Sequence, residues 1–261
     1  MKGETDMRTV SVRGVVIGEG APNICVPMVG ETAVQLVEEA RMLVDVDLDV
    51  VEWRVDFYED VADLSKVKEM LREIRGILRE IPLIFTFRSA KEGGERDFPV
   101  ASYVALNREI AATGMADIVD VELFTGEREV AQLVEAVHQA GAKVIMSNHD
   151  FDKTPSEDEI VARLVKMQEI GADLPKMAVM PHSAADVLTL LSATNMMREK
   201  YADRPIITMS MAGTGVISRL AGEIFGSALT FGAAKKVSAP GQVPVDELRQ
   251  VLALLHKSLN G

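Results

Sequence analysis

Eight short apolar runs of β-strand type alternate with amphipathic segments of helical period along most of the chain. The apolar runs cover residues 24–29, 50–55, 83–87, 118–123, 144–146, 177–180, 206–211 and 228–231. The helical segments cover residues 31–46, 64–80, 100–113, 128–140, 156–171, 183–200, 217–225 and 245–259. Strands that alternate with helices pair in parallel through right-handed crossovers, so this order restricts the chain to an α/β fold with a parallel sheet.

Eight such units in 261 residues predict a (β/α)8 TIM barrel, in a single catalytic domain that covers residues 1–261. Residues 9–18 add a short β-hairpin whose turn lies at Arg13 and Gly14. The alternative is an open doubly wound sheet, which expects a phosphate-binding, glycine-rich turn after an early strand. Gly18 and Gly20 are followed by neither a third glycine nor a helix, so the barrel is favoured.

Charge and cysteine content restrict the partners and the compartment. A net charge of −12 disfavours nucleic acid and anionic membranes, whereas cations in a cleft still allow an anionic small substrate. Cys25 is the only cysteine, which excludes an internal disulfide and fits a reducing cytosol. Residues 1–8 lack the apolar region of a signal peptide, and no apolar segment is long enough to cross a bilayer. We therefore predict a cytoplasmic protein.

Two polar residues stand where strands favour apolar ones. His149 ends the stretch Lys143–Asp150, and Lys176 enters the next apolar stretch along the chain. Burial and nearby arginines would lower the pKa of such a lysine, and a neutral amine forms Schiff bases with ketones. His149, whose ordinary pKa lies near neutrality, is predicted to move protons in the same site. Because Lys176 lies at the beginning of its apolar run and not at the end, its side chain has to extend roughly 6 Å, about two strand residues, toward the carboxyl end of the strand.

The other three histidines carry weaker signals. His138 and His256 lie on amphipathic helices and are predicted to be helix-surface residues, whereas His182 follows a strand and is placed near the rim. No set of His, Asp and Glu has the spacing of a metal site, so no metal is predicted.

Further charged residues fall near the carboxyl ends of the predicted strands, where barrel enzymes carry their active sites. Some could instead be structural. Arg54 with Glu52 could form an ion pair, Asp120 with Glu122 favours a charge network, and Arg219 could lie on the surface. Burying so many charges at one rim is costly unless they serve each other or a ligand. These residues are Glu52, Arg54, Asp56, Arg88, Glu92, Asp120, Glu122 and Arg219, followed by the loop 238–242.

Several long motifs make the chain similar to a known family, the type I 3-dehydroquinate dehydratases of the shikimate pathway. The motifs are E-W-R at 52–54, F-T-F-R-S-A-K-E-G-G at 85–94, S-N-H-D-F at 147–151, D-L-P-K-M-A-V-M-P at 173–181, G-V-I-S-R-L-A-G-E at 215–223 and S-A-P-G-Q at 238–242. The resemblance covers residues 8 to 258 and implies a barrel closed at its bottom by an N-terminal hairpin. It also implies a homodimer that needs no cofactor.

The resemblance assigns roles to the predicted site residues. Lys176 becomes the Schiff-base lysine and His149 the general acid and base, with Glu92 orienting His149. Arg219 becomes the clamp for the substrate carboxylate. The remaining substrate contacts would come from Glu52, Arg54 and Arg88, and from the closing-loop residues Ser238 and Gln242.

Three positions depart from the family pattern. Pro27 replaces a serine, His182 a glutamine and Gly213 a lysine, and none of these departures removes a core catalytic group. The implied reaction is a syn dehydration of 3-dehydroquinate to 3-dehydroshikimate in aromatic amino acid biosynthesis.

Three other interpretations compete with this one. A class I aldolase also uses a barrel lysine but expects a phosphate site near the last two strands, where Arg219 and Gln242 better suit a carboxylate and hydroxyls. A non-catalytic binding barrel would have lost Lys176 or His149, and both are present. The third interpretation is a stabilised or otherwise engineered dehydratase.

Overall fold

The computed structural model describes residues 8–234 and 241–261. Its strands are β1 Val10–Val12, β2 Val15–Ile17, β3 Asn23–Met28, β4 Val50–Arg54, β5 Leu83–Thr86, β6 Ile118–Glu122, β7 Lys143–Asp150, β8 Leu174–Val179, β9 Ile207–Ser210, β10 Leu229–Ala233 and β11 Val243–Pro244. Its α-helices are α1 Ala33–Leu43, α2 Leu64–Leu78, α3 Val100–Ala111, α4 Glu127–Gln139, α5 Glu157–Ile170, α6 Ala184–Met196, α7 Val216–Leu220, α8 Gly222–Phe225 and α9 Val245–Asn260.

Eight parallel strands, β3 to β10, form the barrel predicted from the sequence. Each of β3 to β8 pairs with the next strand along the chain, and β10 pairs back onto β3. The remaining seam is closed by a bridge between Ile206 and Ser227, where the Ala228 amide donates to the Ile206 carbonyl at 2.8 Å. The short strand β11 adds to β10 outside this ring. The open doubly wound alternative is therefore wrong.

The hairpin β1–β2 closes the amino-terminal end of the barrel. Arg13 and Gly14 form its turn, both with positive φ (46° and 82°), as a type I′ turn requires. Val10, Val12 and Ile17 pack in one apolar cluster with the first inward-facing residues of the barrel strands. Those residues are Cys25, Val50, Ile84, Ile118, Ile145, Leu174, Ile207 and Leu229. The bottom of the barrel is thus a packed apolar layer, as the resemblance implied.

A second apolar cluster fills the space between the outer face of the sheet and the helices. Helix starts in this layer are well specified by the sequence: Thr32 caps α1 through a capping box, and Ser156 caps α5. None of the helices within residues 8–234 and 241–261 has the length and apolar character that crossing a membrane requires.

Element boundaries differ most from the sequence prediction near the candidate site. Strand β7 runs from Lys143 to Asp150, so His149 lies at its end as predicted, although the apolar run covers only residues 144–146. Strand β8 begins at Leu174, so Lys176 lies on the strand as predicted, but two residues after its start. The segment predicted as one helix over 217–225 is divided into α7 and α8, and α6 ends at Met196 in a π-helical turn.

Replacing Ile17 by alanine should lower the free energy of unfolding by about 2–5 kcal/mol, because the side chain is fully buried in the bottom layer. Val16→Ala is the matched control, since Val16 lies in the same strand, is half-buried and points to the opposite face. Urea titration of both variants measures the effect. Equal losses for the two variants would show that the hairpin does not close the barrel by packing.

Candidate active site

Above the apolar bottom layer, the inward-facing positions of the barrel become polar. Side chains two residues apart on a strand share a face, so Val50 is followed inward by Glu52 and Arg54, and Ile118 by Asp120 and Glu122. The same change occurs on β5, β7 and β8, which contribute Thr86, Ser147 with His149, and Lys176. The predicted rim charges therefore meet inside the upper half of the barrel.

Lys176 lies at the centre of this polar layer and is 3% exposed. Its Nζ is 3.8 Å from Glu52 Oε1 and 3.7 Å from Asp120 Oδ2, and it lies 4.4 Å from the centroid of the Phe231 ring. The predicted burial is confirmed. The sequence predicted arginines near this lysine, whereas the charged groups within 4 Å of its Nζ are the carboxylates of Glu52 and Asp120, which occupy the same interior layer.

Arg88 is held by a buried network of carboxylates. Its guanidinium is 2.9 Å from Asp120 Oδ1 and from Glu122 Oε1, and it donates to Ser147 Oγ at 2.9 Å. Burial alone would lower the pKa of Arg88, but the surrounding carboxylates outweigh burial and raise that pKa well above its ordinary value. Asp120 and Glu122 belong to a charge network, as predicted.

Arg54 pairs with Asp56, where the sequence offered Glu52 as its partner. Two parallel hydrogen bonds of 2.8 Å join the guanidinium to the Asp56 carboxylate. The reason is the turn Val55–Phe57, which follows β4 and brings Asp56 beside Arg54. Glu52 instead accepts a hydrogen bond from Thr86 Oγ1 at 2.8 Å and faces Lys176.

His149 and Glu92 form a close pair at the end of β7. Glu92 Oε2 lies 3.0 Å from His149 Nδ1 and accepts from the His149 amide at 2.9 Å. Burial lowers the pKa of His149 well below its ordinary value, and Arg88, Lys176 and Arg54 lower it further. Burial also raises the pKa of Glu92, to about 7. The imidazole is therefore neutral near pH 7 and available as a base.

Arg219 lies on α7, the short helix after β9, and is 1% exposed, so the surface interpretation is wrong. Its Nη1 lies 3.6 Å from Met209 Sδ. Burial lowers the pKa of Arg219 to about 10, so the guanidinium remains charged at neutral pH. A buried cation that faces the cleft suits an anionic ligand.

One cleft of about 500 Å³, including its open mouth, brings these groups together. The predicted residues that line it are Glu52, Arg54, Arg88, Glu92, His149, Lys176, Arg219 and Gln242. Its apolar wall consists of Phe151, Met209, Met211 and Phe231. Ser238 falls in residues 235–240, outside the described residues.

Sequence reasoning missed some parts of the site. Thr86 and Ser147 lie in the polar interior layer, and their spacing of two residues from Arg88 and His149 was a usable signal. The apolar wall gave no signal, because methionine and phenylalanine are ordinary core residues.

Four other residues that the sequence singled out are not among those that line the cleft. His182 is exposed and lies 2.6 Å from the Asp152 carbonyl, and His138 lies on the surface of α4 beside Asp173. Pro27 lines a separate pocket beside α1, and Gly213 begins a 3-10 turn after β9. Among residues 8–234 and 241–261, no group of three or more His, Cys, Asp and Glu is arranged to hold a metal ion.

A (β/α)8 barrel with a buried lysine, a histidine–glutamate pair and arginines around one cleft at its strand ends has the architecture of a barrel enzyme. The family model for type I 3-dehydroquinase matches residues 24–259. The chain therefore belongs to the type I 3-dehydroquinase family.

Individual relatives match over nearly their full length. The chain is 66% identical over 251 residues to the 3-dehydroquinate dehydratase of Listeria welshimeri, which covers 96% of this chain and 99% of the relative. The structure is similar to a type I 3-dehydroquinate dehydratase from Clostridium difficile, with a TM-score of 0.94 and 58% identity over 96% of this chain and 98% of the other. An enzyme of the same name from Geobacillus kaustophilus gives a TM-score of 0.93 at 39% identity over 97% and 98%.

Proposed function

We propose that this chain dehydrates 3-dehydroquinate to 3-dehydroshikimate through a Schiff base on Lys176, as a hydro-lyase of the shikimate pathway. The activity follows from the family. The observation that supports the mechanism is the buried Lys176 amine in the same cleft as the neutral His149 imidazole. The solved Clostridium difficile relative is described with covalent modified comenic acid, which is consistent with covalent chemistry in this family.

The first stage forms the imine. The Lys176 amine attacks the C3 ketone, and His149 moves protons so that the carbonyl oxygen leaves as water and an iminium remains. Glu52 and Asp120, both within 4 Å of Nζ, stabilise the positive charge on nitrogen. The iminium draws electrons from the ring and acidifies the proton on C2.

The second stage is the elimination. His149 Nε2 removes the C2 proton, and the electron pair moves into the enamine. The enamine then expels the C1 hydroxyl, which takes its proton from the same imidazole and leaves as water. One base that serves both steps acts on one face of the ring, so the elimination is syn. Hydrolysis of the product imine restores Lys176.

The arginines divide the work of binding. Arg219 binds the ring carboxylate, because a guanidinium donates two parallel hydrogen bonds to a carboxylate. Its burial beside Met209 keeps water from competing for these bonds. Arg54 and Arg88 are fixed by their own carboxylates, and together with Glu52 they contact the ring hydroxyls and the ketone side. Gln242, which lines the cleft, adds a further contact. The family resemblance assigns a contact to Ser238 as well.

Arg219→Met should lower kcat/KM by roughly 10²- to 10³-fold, because removing one partner of a buried charge pair costs about 2–5 kcal/mol. Most of the loss should appear as a higher KM. Arg72→Met, which removes an exposed arginine from α2, is the matched control. Steady-state rates over a range of substrate concentrations separate KM from kcat. A normal KM for Arg219→Met would contradict the assignment of Arg219 as the residue that binds the substrate carboxylate.

The activity itself is tested by the ultraviolet absorbance of the conjugated enone in 3-dehydroshikimate. Absorbance should rise when purified protein meets 3-dehydroquinate, and sugar phosphates, the substrates expected of a class I aldolase, should not be cleaved. Folded protein that forms no enone would contradict the proposal.

Assembly and location are also proposals. The family resemblance supports a homodimer, and the single buried Cys25 supports a reducing cytoplasm. Light scattering on the eluted protein measures the mass, and a mass of one chain would contradict the dimer.

A further inference from the structure

Asn148 is a buried amide at a position where the strand pattern favours an apolar residue. On β7 the outward-facing residues Val144 and Met146 pack in the core against the helices. Asn148 has the same parity and is 4% exposed. A buried amide in such a place needs partners at both ends, because an unsatisfied polar group is costly to bury.

Both ends of the amide are bonded, and the two partners fix its orientation. Arg163 Nη1, from α5, donates to Asn148 Oδ1 at 2.7 Å. Asn148 Nδ2 donates to Glu92 Oε1 at 3.1 Å. Arginine can only donate, so the carbonyl end of the amide has to face Arg163 and the NH2 end has to face Glu92.

The second oxygen of Glu92 continues the chain of hydrogen bonds to His149. Oε2 accepts from the His149 amide at 2.9 Å and faces His149 Nδ1 at 3.0 Å. An ionised Glu92 has only acceptors, so Nδ1 carries the proton and the lone pair lies on Nε2. That tautomer is the one that can remove a proton from a substrate.

Arg163 is itself fixed on the outer side of the barrel. Its side chain is 18% exposed and forms an ion pair with Glu159 one helical turn earlier. Its guanidinium also lies 5.5 Å from the ring centroid of Phe124, in the turn after β6. These contacts hold the guanidinium over Asn148.

We infer that Arg163 and Asn148 are positioning residues for the reaction, acting through Glu92 on the orientation and tautomer of His149. The inference rests on the proposed function of His149. Neither residue lines the cleft, so their effect on turnover passes through Glu92.

Burial, nearby charges and hydrogen bonds set the pKa of Glu92, and that pKa gives the inference a pH signature. Burial raises the pKa of Glu92 to about 7, and Glu122 adds to this rise, whereas Arg88 and the hydrogen bond from Asn148 lower it. The ionised form holds the active tautomer, so kcat/KM falls as pH falls through this pKa. Without the hydrogen bond from Asn148 the pKa of Glu92 rises further, so the fall in kcat/KM begins at a higher pH.

The chain of hydrogen bonds from Arg163 to His149 is surrounded by charged and titratable groups on several elements. They are Arg88 after β5, Glu122 on β6, His149 on β7, and Arg163 and Glu159 on α5.

The experiment compares Asn148→Ala and Arg163→Met with Lys166→Met in kcat, KM and pH profile. Lys166 is the matched control, because it lies on the same helix and also pairs with a glutamate, Glu127, at 3.7 Å. We expect kcat to fall roughly 10- to 100-fold in Asn148→Ala and Arg163→Met, with KM unchanged. This is the scale of loss when a residue that orients a metal-binding side chain in an enzyme is removed. Lys166→Met should match the wild type.

Three features separate positioning from simple loss of structure. The acid limb of kcat/KM should move to higher pH in Asn148→Ala, and Arg163→Lys should recover part of the kcat. The double variant should be no slower than Asn148→Ala alone, because Arg163 acts through Asn148. Arg163 lies on the outer layer, so Arg163→Met decides the question even where Asn148→Ala fails to fold.

Equal kcat and equal pH profiles for Arg163→Met and Lys166→Met, with an active wild type, would overturn the inference and leave the proposed function standing. A folded wild type that produces no 3-dehydroshikimate would overturn the proposed function and, with it, this inference.

Discussion

Lys176→Ala is expected to lower kcat by roughly 10⁴- to 10⁶-fold, the scale seen when an enzyme loses its nucleophile. The loss follows from chemistry: without the amine no iminium forms, and the C2 proton loses its electron sink. The substrate should still bind, because Arg219 and the other cleft residues remain. Kinetics measure the first effect, and calorimetric titration with 3-dehydroquinate measures the second.

The matched control is Lys143→Ala, which removes a half-exposed lysine at the opposite end of a barrel strand. It should leave kcat unchanged. Lys176→Ala will also lower the melting temperature, since Glu52 and Asp120 lose their shared cation, so rates are measured where circular dichroism shows the fold intact. A near-normal kcat for folded Lys176→Ala would remove the Schiff base from the mechanism.

His149→Ala is expected to lower kcat by roughly 10²- to 10⁴-fold, the usual contribution of a general acid–base group. Because the amine of Lys176 is retained, the imine should form slowly or accumulate instead of disappearing. Borohydride added during turnover and followed by mass spectrometry would detect it as a reduced adduct.

His138→Ala serves as the control for this variant, since His138 is an exposed histidine on α4 that pairs with Asp173. It should turn over like the wild type. Unimpaired turnover by His149→Ala would assign the proton transfers to another group.

Local signals predicted the barrel well. Short-range patterns in the sequence specify apolar strands, amphipathic helices and a hairpin turn. Arg13 and Gly14 form that turn where it was predicted. The apolar runs alone are shorter than the strands nearest the chemistry. Ser147 and His149 lie on β7 beyond its apolar run, and Lys176 lies on β8 ahead of its apolar run, because polar site residues interrupt the pattern that marks a strand.

Membership of the site was predictable, whereas pairing within it was not. Strand ends and two-residue parity brought Glu52, Arg88 and Lys176 together. The choice of Asp56 as the partner of Arg54 depends on a 3-10 turn, and the burial of Arg219 depends on the short helix α7. Asn148 was visible only as part of a motif, because its role depends on a contact with α5 across the helix layer.

Borohydride reduction with 3-dehydroquinate present, read by intact-mass and peptide mass spectrometry, tests whether Lys176 forms a Schiff base with the substrate. We expect one ligand-sized adduct, located on the peptide that contains Lys176, together with loss of activity. Continued formation of 3-dehydroshikimate with no adduct on that peptide would contradict the Schiff-base mechanism.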